Sequence, residues 1–223
     1  VEAIGLNRAE AAFRAGMYLE APNLPCGIGY EASGIVEAVG DDVTDFKVGD
    51  AICVIPAFSM NTYSVYADQT LVPAYACTQR PSGLDKIEAA SIWMQYLTAY
   101  GALIDIAKRG KGDFVIIPAA SSSVGLAAIQ IANYVGATPI ATTRGQSKVA
   151  ALKEAGAKHV ITGDQDLVAE VLRITDGKGA RVAFAPVGAP TVANPAHAPA
   201  AGGTALPAGP PPPPPTRRPP RPP

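Results

Sequence analysis

"IIPAASSSVGLAAIQIA", residues 116–132, joins an apolar run of strand character to an amphipathic run of helical character. Turns that cradle a phosphate in this position usually carry G-x-G-x-x-G. Laid over the stretch, that pattern falls on Ala120, Ser122 and Gly125, so one of its glycines is present. Alone, the turn reads equally well as an ordinary strand-to-helix connection. The residues around it decide. "DFVIIPA" (113–119) has the look of a buried strand, and "SVGLAAIQIANYVGA" (123–137) that of a helix closed by glycine. Strand "TPIATT" (138–143), helix "QSKVAALKEAGA" (146–157), strand "HVIT" (159–162), helix "DLVAEVLRIT" (166–175) and strand "ARVAFAPV" (180–187) follow. Strand–helix alternation with short connections predicts a parallel, doubly wound α/β sheet. In such a sheet the first strand–helix turn lies at the ligand edge.

That placement favours a phosphate-binding turn built from Ala120, Ser121, Ser122, Ser123, Val124 and Gly125. Ala120 and Ser122 are the smallest residues after glycine, and Gly125 sits where the helix must approach the strand. The three serines add hydroxyl groups to the backbone N–H groups of a helix N-terminus, which is favourable anion chemistry. An NAD site places Asp or Glu at the end of the next strand, where it holds the ribose 2′-hydroxyl. Here the strand ends "ATTRGQSK" (141–148), with no carboxylate. Thr143, Arg144 and Lys148 stand there instead and suit a 2′-phosphate. The expected cofactor is NADPH rather than NADH.

The first third is rich in glycine and β-formers: "SGIVEAVG" (33–40), "KVGDAICVI" (47–55) and "SVYADQTLVP" (64–73). Bounded by Gly-Asp and Asp-Asp turns, these runs predict an irregular, mostly β domain. Residues 85–108 then show apolar positions at helical spacing. The 223 residues are 48% hydrophobic with a net charge of −1, enough for one large or two small domains. No basic excess points to nucleic acid, and no run is long and apolar enough to span a bilayer. Cys26, Cys53 and Cys77 lie far apart and the chain has two histidines, too few ligands at the wrong spacing for structural zinc. Three free thiols suit a reducing compartment, and the expected location is cytoplasmic.

Three separated stretches, "GYEASGIVEAVGDDVTDFKVGDAICV" (29–54), "EAASIWMQYLTAYGAL" (88–103) and "PAASSSVGLAAIQIANYVGATPIATTRGQSKVAALKEAGAKHVI" (118–161), resemble the medium-chain dehydrogenase/reductase superfamily in order and spacing. The branch is the zinc-independent, quinone-oxidoreductase-like one, and the likeness covers nearly all of residues 1–188. It implies a chaperonin-10-like β domain over residues 1–92 and a Rossmann domain over 93–188, with the first lacking its N-terminus and the second truncated. It further implies a cleft between the two domains, where Asn7 and Tyr18 lie beside the nicotinamide and Thr98 approaches the cofactor. Zinc-dependent members place a ligand Cys at the position of Asn7, a ligand His at Tyr30 and another Cys near Met94, so no metal is expected. The acceptor implied is a quinone or an α,β-unsaturated carbonyl, with homo-oligomers when the chain is complete. A non-catalytic nucleotide-binding or interaction protein of the same fold is the alternative.

Departures gather at the end. "FAPVGAP" (184–190) carries Ala185 and Ala189 where the family has Asp and Gly. From Ala189 onward 14 of 35 residues are proline, so neither a helix nor a central strand is expected there. Residues 189–223 read as a disordered tail, either a polyproline II arm for an SH3-type partner or, preferred here, the out-of-frame end of a GC-rich reading frame.

Overall fold

The computed structural model describes residues 1–108, 110–185 and 199–207. It divides into two units, Val1–Thr98 and Ala99 onward.

In the first unit β1 (Ala3–Ile4), β2 (Ala32–Ile35), β3 (Ala51–Val54) and β4 (Cys77–Gln79) form an antiparallel sheet in sequence order. Its register runs straight across: Ala3 faces Ser33, Ser33 faces Cys53, and Cys53 faces Thr78. Ala32, Val54 and Val65 make one apolar cluster, and Phe13, Tyr30 and Met60 make another. The expected strand over residues 64–73 does not form. Val65 is buried in the core there, yet the backbone makes isolated bonds rather than a ladder: Tyr66 N–H donates to Ile28 O, and Asp68 O accepts from the Val1 amino group. The last ladder forms instead at Cys77–Gln79, beyond Pro73, which lacks a donor.

A helix the periodicity did not reveal, α1 (Arg8–Arg14), fills the gap between β1 and β2. Asn7 opens it with a capping box on Glu10. Gly16 closes it at φ +67°, with Gly16 N–H on Phe13 O and Met17 N–H on Ala12 O. That pair of bonds is a Schellman motif, and its left-handed residue suits glycine. Seven residues make a marginal helix alone, so the burial of Phe13 is what holds it. Two further helices, α2 (Lys86–Ala89) and α3 (Trp93–Tyr100), follow β4, and α3 runs on into wider π-type turns over Gly101–Ile106.

The second unit alternates as the sequence predicts: β5 (Phe114–Ile117), α4 (Ser123–Tyr134), β6 (Thr138–Thr143), α5 (Val149–Glu154), β7 (His159–Thr162), α6 (Leu167–Ile174), β8 (Ala180–Ala185) and β9 (Pro199–Pro207). All pairings are parallel, in the order β7-β6-β5-β8-β9. Ile116, Ile140, Ile161, Val171, Ala180 and Ala183 form the core under this sheet. The chain leaves β5 in one direction, through β6 to β7, and returns to β5's other side at β8. The turn after β5 therefore lies at the switch point, the place where such sheets bind ligands.

β9 corrects one expectation. Within the stretch read as a disordered tail over residues 189–223, a further strand continues the sheet, with Leu206 paired to Phe184. Pro199 and Pro207 stand at its two ends and the seven residues between carry no proline. Among the described strands β9 lies at the sheet edge, where one side needs no partner, so proline is tolerated. Ala189, Pro195 and the proline run from residue 210 lie outside the described residues.

Candidate functional site

The turn between β5 and α4 is built by close backbone approach. A Cβ on Gly125 would meet Ala120 O, Cα and C at 2.6, 2.7 and 2.8 Å, so no side chain fits there. This is the packing role of the last glycine in a dinucleotide turn. Ala120 is fully buried, and its N–H bonds to Thr142 O, which ties the turn to the end of β6. Ala119 takes a left-handed φ of +49° just before it. The three serines divide their work. Ser122 is the N-cap of α4, its Oγ accepting from Gly125 N–H at 3.1 Å. Ser121 accepts from Lys148 Nζ at 3.1 Å, and Ser123 lies exposed on the first helical turn, beside Val124. Ser122 Oγ thus serves the helix as an acceptor, and its O–H still has a proton to donate. Thr143 ends β6, and Arg144 follows it, exposed. Among the described residues neither Arg144 nor Lys148 has a carboxylate partner. Two cations and an open helix N-terminus therefore share one edge of the sheet.

In the first unit the structure reveals three carboxylates that sequence reading missed. Glu10 and Glu31 are 4% and 1% exposed. Glu10 accepts from the backbone N–H groups of Asn7 at 2.9 Å and Tyr30 at 3.3 Å. Glu31 Oε1 accepts from the N–H groups of Trp93 at 2.5 Å and Met94 at 3.2 Å, the first turn of α3. Its Oε2 accepts from Asn7 Nδ2 at 3.0 Å. Burial pushes both carboxyls up from the ordinary range, outweighing hydrogen bonds that pull them down. Glu20 is the opposite case. It lies near the surface and collects Ser59 Oγ, Met60 N–H, Asn61 Nδ2 and Tyr30 Oη, and these bonds, Ser59 foremost, hold it below the ordinary range.

Of the residues expected at the nicotinamide cofactor, Asn7 and Thr98 belong to one network. Asn7 holds Glu31, Glu31 holds Met94 N–H, and Thr98 Oγ1 donates to Met94 O at 2.6 Å. Tyr18, like Met94, packs against the Phe13 cluster, its ring 6.1 Å from that of Tyr30. Burial, then the charge of Glu10, pushes the Tyr18 hydroxyl up, so it keeps its proton through neutral pH. Two sequence signals could have found two of the three carboxylates. Asn7-x-x-Glu10 is a capping pattern, and Glu31 is a charge set among small and apolar residues.

Comparison with known proteins bears on both units. Residues 1–100 match the family described as the alcohol dehydrogenase GroES-like domain, and residues 123–220 match the one described as zinc-binding dehydrogenase. The chain belongs to the medium-chain dehydrogenase/reductase family. It is 35% identical over 190 residues to a quinone oxidoreductase from Pseudomonas aeruginosa, covering 85% of this chain and 57% of that protein. It is 33% identical over 195 residues to a 2-haloacrylate reductase from a Burkholderia species, again 85% and 57%. Its fold superposes on Escherichia coli quinone oxidoreductase, a structure in complex with NADPH, with a TM-score of 0.80 and 31% identity, over 91% of this chain and 61% of that one. The chain thus spans less than two thirds of the length of these relatives. Against the family pattern, the positions of the expected zinc ligands do gather. Tyr30 and Met94 share the Phe13 cluster, and Asn7 and Met94 meet on Glu31.

Proposed function

We propose that this protein is a zinc-free, NADPH-dependent oxidoreductase that reduces a quinone or an α,β-unsaturated carbonyl. The observation that carries the reading is the turn at the switch point, where Gly125 lies against the Ala120 backbone and Lys148 reaches Ser121. Backbone N–H groups from Ser121 to Gly125 would hold the pyrophosphate, with Ala120 shaping the turn beneath them. Thr143, Arg144 and Lys148 would hold the 2′-phosphate, since no carboxylate stands there to repel it. The names of the relatives support the acceptor class.

The first unit's residues suit an electrophilic acceptor better than a bound metal. At the family's ligand positions Asn7 offers an amide, Met94 a thioether packed among aromatic residues, and Tyr30 a hydroxyl that donates to Glu20. Zinc prefers thiolate, imidazole or carboxylate. Glu31, the carboxylate that holds both Asn7 and Met94, is already filled by three N–H donors. The residues present do not fit zinc.

NADPH, when bound, supplies a hydride. The remaining chemistry is hydrogen bonding and proton delivery. Asn7 Nδ2 spends one hydrogen on Glu31 and carries a second. It can donate to the oxygen that gains charge as a carbonyl is reduced. Tyr18, kept protonated, donates from beside it and can pass its proton to the reduced acceptor, with water restoring it. Thr98 is assigned to the cofactor side. The test is NADPH oxidation by the full-length protein with a quinone and with an enone, before and after exhaustive chelation. Acceptor-dependent oxidation that survives chelation is expected. No oxidation with either acceptor would overturn the reading.

A further inference from the structure

We infer that Glu31 is a positioning residue: its two oxygens set the Asn7 amide and the first turn of α3, which carries Thr98, in one fixed relation. The inference rests on the reading above, in which Asn7 and Thr98 meet acceptor and cofactor.

A buried carboxylate at this place needs a reason, because an apolar residue of similar size is often at least as stable. Capping α3 is the simplest one, yet it accounts for half the geometry. Oε1 alone takes both Trp93 and Met94 N–H groups. Oε2 is left entirely to Asn7. A cap could be supplied by any side chain with one acceptor oxygen. Accepting on two sides at once, from donors on different elements, requires two acceptor oxygens. Gln would turn an N–H toward one set of donors. The packing around Oε2 is equally specific. A Cβ on Gly5 would lie 2.6 Å from it, so the absence of a side chain at residue 5 gives this oxygen its place.

The consequence for Asn7 is directional. An asparagine amide can turn over, and only its partners decide which end points where. An acceptor at Glu31 Oε2 compels Nδ2 to face it, and the capping box turns the same side chain toward the Glu10 backbone N–H. With Nδ2 facing Oε2, the amide plane sets the direction of its second hydrogen. On the other side of the carboxylate, Met94 N–H is held by Oε1 while Met94 O accepts from Thr98. A single group thus links the two residues, 91 positions apart in the chain, that the site reading assigns to acceptor and cofactor.

The experiment is a double-mutant cycle in the full-length protein, reading kcat, KM for the acceptor and thermal midpoint. Asn7→Ala, Glu31→Gln and the double variant are compared with the parent. Glu31→Asp is included because it keeps the charge but is too short to serve both sides. Positioning predicts that Glu31→Gln lowers kcat about 10–100-fold, the scale of a misplaced reacting group. It predicts that the same change made in the Asn7→Ala background lowers kcat by a smaller factor than in the parent, the signature of coupled residues, with the remaining loss passing through α3 and Thr98. Glu31→Asp follows the same pattern, which covers the case in which the Gln variant does not fold. A merely structural Glu31 would lower the thermal midpoint alike in both backgrounds and leave the kcat losses to multiply. Multiplying losses, or parental kcat in both Glu31 variants, would overturn the inference while leaving the function standing. Parental kcat in Asn7→Ala would instead overturn the role of Asn7, and the inference with it.

Discussion

Gly125→Ala puts a methyl group where the structure has no room. Its Cβ would lie 2.6 to 2.8 Å from three backbone atoms of Ala120, a fully buried residue. Ordinary carbon contacts begin near 3.5 Å, so the overlap is about 0.7 Å or more. A flexible side chain could swing aside, but the backbone of a turn bonded to Thr142 O cannot. Overpacking costs ~1–3 kcal/mol, and a rigid neighbour places this case near the upper end. Alanine returns ~1 kcal/mol in helix propensity. The net loss is ~2 kcal/mol, which at a urea m-value of ~2 kcal/mol/M moves the denaturation midpoint down by ~1 M. Gly101→Ala is the control. It also lies in a helical segment, but no described atom stands within 4 Å of the added Cβ. That variant should match or exceed the parent. NADPH affinity should fall in Gly125→Ala alone, because α4 retreats with its N-terminus. A Gly125→Ala midpoint equal to that of Gly101→Ala would refute the reasoning.

Arg144→Ala with Lys148→Ala should cut the NADPH-over-NADH ratio of kcat/KM about tenfold or more, since each charge-assisted contact to a phosphate contributes ~1.5–3 kcal/mol before solvent screening. An unchanged ratio, measured at fixed ionic strength, would remove both residues from the phosphate site. The zinc content of the purified full-length protein should lie far below one per chain, and elemental analysis returning one zinc per chain would contradict the donor-set argument. The pH dependence of stability should expose Glu10. Burial raises its folded pKa above the unfolded value of 4.5, so its contribution is complete below pH 4.5 and is lost as pH rises through the folded value. The denaturation midpoint of the parent minus that of Glu10→Gln should therefore fall as pH rises from 4.5. A difference that grows with pH would mean the carboxylate is stabilised as an anion.

The second unit was legible because its information is local. Each strand is a short apolar run such as Phe114–Ile117, each helix has its own cap or closing glycine, and the turn at Ala120–Gly125 sits within one stretch. The first unit spreads its information along the chain. Asn7, Glu31 and Met94 lie 24 and 63 residues apart in the pairs that join them, and no periodicity links them. Burial of Glu31 depends on α3 arriving with two free N–H groups, which no window around residue 31 contains. The short helix α1 was hidden for a related reason: its seven residues offer one fully buried apolar side chain, Phe13. At β9 the error lay in weighing composition over position, because proline matters by where it stands in a strand.

The four bonds on Glu20 have a separate consequence for local opening. Met60 is 1% exposed, and its N–H is satisfied by the Glu20 carboxylate at 3.1 Å rather than by a neighbouring strand. The same carboxylate holds Ser59, Asn61 and the hydroxyl of Tyr30. A surface charge therefore latches a loop whose middle residue plugs the Phe13 cluster. Releasing that latch exposes Met60 without breaking any ladder of the sheet. The loop is thus a small opening unit of its own, and exchange at the Met60 amide reports the latch while the β2 and β3 amides report the sheet.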